Sequence, residues 1–172
     1  FLKLPADISN YLDHFSLPYD EAKYEGGYIK IGANNIFTQT FTPPDHQRTA
    51  FLFHGYFDHG GYFGNIVSLL IKQKIRVVLW DQPGYGLSTG KKGYCHSFED
   101  YVLVADFIIN KFKEEEEETS KILLGHSAGC AQILSLIRDR KIAQNDKIVF
   151  IAPLIHCAQW KLALTGLFLF GS

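Results

Sequence analysis

Residues 121–130 read KILLGHSAGC: an apolar run of strand length, then Gly125-His126-Ser127-Ala128-Gly129, then a stretch with helical spacing. A small hydroxyl between two glycines at the end of a buried strand fits G-x-S-x-G, in the strand-then-helix setting that this motif requires. A sharp turn there strains the backbone of the central residue and lifts its side chain above the sheet. A Cβ at Gly125 or Gly129 would obstruct the backbone passing beside it. The free amides of a helix beginning at Ala128 would point at the serine and favour negative charge beside it. Ser127 is therefore the candidate nucleophile, and the Ala128 amide is one candidate donor of an oxyanion hole. The competing reading is an ordinary serine cap on a helix. His126 is a poor base for this serine, because neighbouring residues on a strand point to opposite faces.

Outward from this turn, strand and helix signals alternate. TAFLF (49–53), IRVVLW (75–80) and DKIVFIAPL (146–154) are strands rich in apolar residues, as expected where both faces are covered. NIVSLLIKQ (65–73), SFEDYVLVADFIINKF (97–112) and AGCAQILSLIRDR (128–140) have helical spacing. Ser97 is a candidate cap, with Asp100 in the third position after it. YIKI (28–31) and NIFTQTF (35–41) flank GAN, a good hairpin turn. The glutamate run in KEEEEETS (113–120) reads as a solvated linker. This order predicts an α/β fold: a mostly parallel, doubly wound sheet with an N-terminal antiparallel hairpin. Ligands in such sheets lie at the carboxyl ends of strands, which singles out the loops after residues 53, 80, 125 and 151.

The first of those loops is HGYFDHGGYFG (54–64). Gly55 lets the chain turn tightly and present the Tyr56 amide to the serine as a second donor. His54 and His59 read as groups that hydrogen-bond within the loop and hold it rigid. Composition narrows the class further. Of 172 residues, 47% are hydrophobic and 20% charged, and the net charge is -1. No global field attracts nucleic acid or an anionic membrane. Cys95, Cys130 and Cys157 lie far apart, which favours reduced thiols and a cytoplasmic setting. No His or Cys pair has zinc spacing, so neither a metal nor a cofactor is expected.

FHGYFDH (53–59), LWDQPGYGLS (79–88) and LLGHSAG (123–129), in this order, resemble the serine α/β-hydrolases of the monoglyceride lipase and lysophospholipase-like group. That group carries H-G-x-x-x-H, D-x-x-G-x-G-x-S and G-H-S-x-G, and the similarity covers about residues 25–155. Cys130 stands where a further glycine is usual, and Tyr85 where histidine is frequent. The resemblance implies Ser127 as nucleophile and the Tyr56 and Ala128 amides as the oxyanion hole. It implies Asp81 as a loop organiser, since the family's triad acid comes later in the chain. It also implies a lid after the strand ending near residue 154, of which WKLALTGLFLF (160–170) resembles the start. Residues 1–155 are thus expected to be the N-terminal part of a hydrolase core, and 156–172 the start of a lid able to meet lipid aggregates.

After Ser127 the acids are Asp139 and Asp146 and the histidine is His156. Asp139 lies deep in a helix, Asp146 precedes a strand at the wrong edge, and His156 comes too early for the family's base. With no methionine and an apolar end, the chain is expected to be a piece of a longer protein, whose further sequence supplies the acid and base. The expected activity is hydrolysis of small-molecule carboxylic esters, acylglycerol or lysophospholipid-like, through an acyl-enzyme. The alternatives are a peptidase or thioesterase of the same fold, or a non-catalytic binding protein.

Overall fold

Apolar runs that read as continuous in the sequence divide, residue by residue, between two cores. In the computed structural model, which describes residues 8–94, 97–113 and 120–154, the elements in chain order are as follows. Helix α1 (Ile8–His14) precedes a hairpin of β1 (Lys23–Ile31) and β2 (Asn34–Thr42). Then come β3 (Arg48–Phe53), a short 3-10 turn (Gly60–Phe63), α2 (Gly64–Lys72) and β4 (Ile75–Trp80). Helix α3 (Phe98–Lys113), β5 (Ile122–His126), α4 (Ala128–Arg138) and β6 (Lys147–Ile151) complete them.

Successive strand residues face opposite ways. Ala50, Leu52, Val77, Leu79 and Leu124 therefore meet Leu12 of α1 and Val67 and Ile71 of α2. Phe51, Phe53, Val78, Trp80 and Leu123 meet Ala105, Ile108 and Phe112 of α3 and Ile133 and Leu136 of α4 on the other face. Burying each large side chain of this kind contributes about 1.5–3 kcal/mol before chain entropy is counted.

The six strands lie in the order β1-β2-β4-β3-β5-β6. The β1–β2 and β2–β4 pairs are antiparallel, and the β3–β4, β3–β5 and β5–β6 pairs are parallel. This is the mixed, mostly parallel sheet that the sequence predicts. The chain leaves β3 towards β4 on one side and later returns to β5 on the other. The loops after β3 and β5 consequently diverge and open a crevice at the carboxyl ends of two adjacent strands.

Some local details differ from expectation. The hairpin strands run longer than their apolar centres, because Gly32 takes φ +56 and Ile31 pairs with Asn34 across a two-residue turn. At the start of α3, the Ser97 hydroxyl accepts the Glu99 amide at 3.2 Å and donates to the Glu99 carboxylate. The acid engaged is thus Glu99 and not Asp100, whose amide donates to the Ser97 carbonyl at 3.1 Å. Helix α1 has no counterpart in the periodicity, since seven residues are too few to show one. His156 and the expected lid over 156–172 lie outside the described residues. Among the described residues no helix is long and apolar enough to cross a membrane.

Candidate active site

Strand register brings the two singled-out loops together. Phe53 of β3 pairs with Gly125 of β5, so two residues further along each strand Gly55 comes opposite Ser127. A Cβ built on Gly55 would lie 3.1 Å from the Ser127 Cβ and 3.4 Å from His126 Nδ1. The loop after β3 therefore runs against the serine, and Tyr56 is its next residue.

Ser127 has φ 52 and ψ -116, a conformation that L residues rarely adopt, and its side chain makes no capping hydrogen bond. The ordinary-cap reading is thereby excluded. The Ser127 amide donates to the Ile151 carbonyl at 3.0 Å, while its carbonyl accepts the Cys130 and Leu154 amides at 3.1 and 3.3 Å. These bonds use its backbone and hold the corner in place. The flanking glycines serve close approach rather than an unusual φ. A Cβ on Gly125 would stand 2.7 Å from the Cys130 nitrogen, and one on Gly129 would stand 2.1 Å from the Phe53 carbonyl oxygen. Cys130 is buried beneath the turn and its thiol donates to the Gly125 carbonyl at 3.1 Å. Burial pushes that thiol above its usual range, so it is no competing nucleophile.

Ala128 is the first residue of α4, where helix amides have no partner within the helix. Tyr56 and Ala128 line one small cavity together with Gly55, His54, Gln82 and Tyr85. Wider depressions of about 370 and 590 Å³ run along α3 and the end of β1 and contain none of these residues. The small cavity is the one that lies beside the serine, between the β3 loop and the start of α4.

Both loop histidines are fastened. His54 is 2% exposed; its Nε2 accepts the Gln82 amide at 2.9 Å, so Nδ1 carries the proton and donates to the Gly55 carbonyl at 2.8 Å. Burial lowers its pKa to about 4, so the ring is neutral and joins the loops after β3 and β4. His59 Nδ1 accepts the Gly61 amide at 3.1 Å, and burial lowers its pKa as well. Asp81 is fully buried, with one carboxylate oxygen accepting the Gly60 amide at 2.7 Å and the other the Leu87 amide at 2.8 Å. Burial raises its pKa to about 6, against the pull of those two bonds.

The remaining acids stand elsewhere. Asp139 follows α4 and holds Arg138 at 2.8 Å on the surface. Asp146 accepts the Lys121 amide at 2.9 Å, at the opposite end of β5 from Ser127.

Sequence reasoning missed four contributors. Asp58 Oδ2 lies 3.5 Å from His126 Nδ1, bridging the loop and the strand that carries the serine. Gln82 donates to Gln132 at 2.7 Å beneath the site. Phe15, just after α1, leaves no room for a Cβ at Gly61 or Gly64, so α1 braces the loop from below. A polar residue within an apolar helical pattern was the available signal for Gln132, while Gln82 stood in a polar loop and carried none. Asp58 and Phe15 carried none.

Comparison with known proteins agrees with this fold. The family model for serine aminopeptidase, S33, matches residues 44–169. Protein phosphatase methylesterase 1 of Candida albicans is 30% identical over 95 residues, which are 54% of this chain and 26% of that protein. Phospholipase YtpA of Bacillus subtilis is 24% identical over 102 residues, 59% of this chain and 39% of that one. The crystal structure of Paleococcus ferrophilus monoacylglycerol lipase superposes with a TM-score of 0.63 and 24% identity, covering 80% of this chain and 52% of that chain. That likeness concerns the fold, the α/β-hydrolase fold. The chain spans between a quarter and two fifths of the two curated relatives and about half of the solved structure.

Proposed function

The chain belongs to the serine aminopeptidase S33 family of α/β-fold hydrolases, and from that premise we propose that Ser127 is the nucleophile of a carboxylic-ester hydrolase. The reading is carried by one observation: Ser127 is held at φ 52 without a capping bond, directly against the Gly55–Tyr56 turn. In the whole protein, Ser127 Oγ attacks the acyl carbonyl while its proton passes to a base. The Tyr56 and Ala128 amides hold the oxygen that gains charge. Collapse of the tetrahedral intermediate expels the alcohol, which takes up the proton and leaves an acyl-enzyme for water to cleave. In this fold the acid and base follow the serine in the chain. Neither Asp139 nor Asp146 faces it, and both partners are assigned to the whole protein outside the described residues.

Lipid-like esters are the substrate class that we favour. A phospholipase and a monoacylglycerol lipase stand among the proteins this chain resembles. Phe57 and Tyr56, beside the serine, are 83% and 45% exposed, an apolar approach for an acyl chain. The family description favours one rival, an aminopeptidase. Labelling of the whole protein with a fluorophosphonate probe tests the nucleophile: strong labelling is expected, and in Ser127→Ala its loss together with a roughly 10⁴-fold or greater fall in turnover. An unlabelled protein would instead be a non-catalytic binder. Rates on a monoacylglycerol, a p-nitrophenyl ester and a proline amide then separate the substrate classes, and turnover of the amide alone would end the esterase reading.

A further inference from the structure

The turn that carries the Tyr56 amide is held at each end by a histidine. At its start the buried His54 ring donates from Nδ1 to the Gly55 carbonyl at 2.8 Å. At its end Asp58 Oδ1 accepts the His59 amide at 2.8 Å, and Oδ2 lies 3.5 Å from His126 Nδ1. His126 borders the start of the turn as well. A Cβ on Gly55 would stand 3.4 Å from the same Nδ1 and 3.5 Å from the His126 carbonyl oxygen. The residue before the serine thus lies beside the turn at both Gly55 and Asp58. His126 also closes β5, which is paired with β3 on one side and β6 on the other, so it belongs to the rigid sheet.

Between those two points the backbone is strained. Phe57 has φ 57, a value that phenylalanine rarely takes, and its side chain is 83% exposed, so its own burial does little to hold that conformation. Such a turn persists where its surroundings fix it, and Asp58, the next residue, is the one tied across to β5. We propose that His126 is a positioning residue for the oxyanion hole: by holding Asp58 it keeps the Tyr56 amide aimed at the carbonyl oxygen of an ester on Ser127. The proposal rests on Ser127 as nucleophile and Tyr56 as donor, and it gives His126 no part in proton transfer, since its Nδ1 faces Asp58. Both side chains are partly exposed, so their attraction adds little to stability and acts through placement. A displaced donor forfeits only part of what a deleted donor would.

Steady-state kinetics of the whole protein on a soluble p-nitrophenyl ester test this role. His126→Ala is expected to lower kcat about 3–5-fold with KM nearly unchanged, because the oxyanion forms only after the ester has bound. His126→Asn keeps an N–H near the place of Nδ1 and is expected to recover most of that loss. His126→Ala combined with Asp58→Asn should be no slower than either change alone, as for two groups that act through one contact. An unchanged kcat, losses that multiply in the double variant, or an Asn variant as slow as the Ala variant would each overturn the proposal. Crystal structures with a phosphonate on Ser127 supply a second measurement. In wild type the Tyr56 amide is expected within hydrogen-bond distance of the phosphonyl oxygen, and in His126→Ala the Gly55–Asp58 turn is expected to draw away from it. A turn that stays in place overturns the positioning role. Should His126→Ala not fold, Asp58→Ala takes its place in both measurements. A wild-type protein that no fluorophosphonate labels removes the reading of Ser127 and the proposal with it, whereas a labelled protein with an unmoved turn removes the proposal alone.

Discussion

The ends of β4 and β5 are made from similar materials, a polar residue and nearby glycines at the top of a buried parallel strand, and they use that residue in opposite ways. Asp81, after β4, spends everything inside the fold. Both carboxylate oxygens accept loop amides, and its carbonyl accepts the Ser88 hydroxyl at 2.6 Å. Ser127, after β5, has its backbone bonded and its hydroxyl left out of the helix cap, on a strained φ. A polar group whose hydrogen bonds are consumed by its own loops is a fastener. One held rigid while its reactive atom stays uncommitted is available for chemistry. The lesson is that position at a strand end selects candidates, and hydrogen-bond accounting separates their roles.

The sharpest way to break this contrast is to disturb the β5 corner alone. Gly129→Ala places a methyl 2.1 Å from the Phe53 carbonyl oxygen, a backbone atom that cannot swing away. A loss of about 3 kcal/mol or more in denaturant unfolding is expected, with fluorophosphonate labelling reduced in whatever remains folded. A variant as stable and as reactive as wild type would show that the tight corner is dispensable.

The β4 corner is sharpened by pH. Burial raises Asp81 from 3.8 to about 6, so its contribution is complete below pH 3.8 and is lost as pH rises through 6. Burial lowers His54 from 6.5 to about 4, so its contribution is complete above pH 6.5 and is lost as pH falls through 4. Between these limits the two trends oppose each other, and wild-type stability should stay nearly flat. Asp81→Asn leaves His54 alone, and stability should then climb by about 3 kcal/mol from pH 4 to pH 6.5. Urea unfolding at stepped pH measures it. Identical slopes in the two proteins would contradict the upward shift that burial gives Asp81.

The smallest effect belongs to the bridge between loop and elbow. Asp58 and His126 are partly exposed, so their attraction is screened. Asp58→Asn is expected to slow fluorophosphonate labelling up to about fivefold without lowering stability appreciably. A hundredfold loss would promote Asp58 from a support to a member of the reactive machinery.

Much of this was legible in the chain because it is local. The run of residues 75–80 forms a strand with those bounds, since the five branched and aromatic residues around Arg76 bury both faces. Glycines around Ser127 announced close approach, and the observed contacts are with backbone. Less was legible where partners lie far apart. The Gln82–Gln132 bond joins residues 50 apart, and nothing near either position names the other. Helix α1 was invisible for a different reason. It is short, and what stabilises it is packing of Leu12 in the core with Tyr11 and Phe15 close against it.

By itself the sequence determined the alternation of strands and helices, the two-faced sheet and the residue raised at the β5 turn. Each follows from spacing along a few neighbouring positions. Only the tertiary structure decided that His54 is neutral with its proton on Nδ1, that Gln82 meets Gln132, and that Asp58 reaches His126. Those outcomes depend on β3 lying between β4 and β5, and strand order is set by how whole faces pack rather than by any short run of residues.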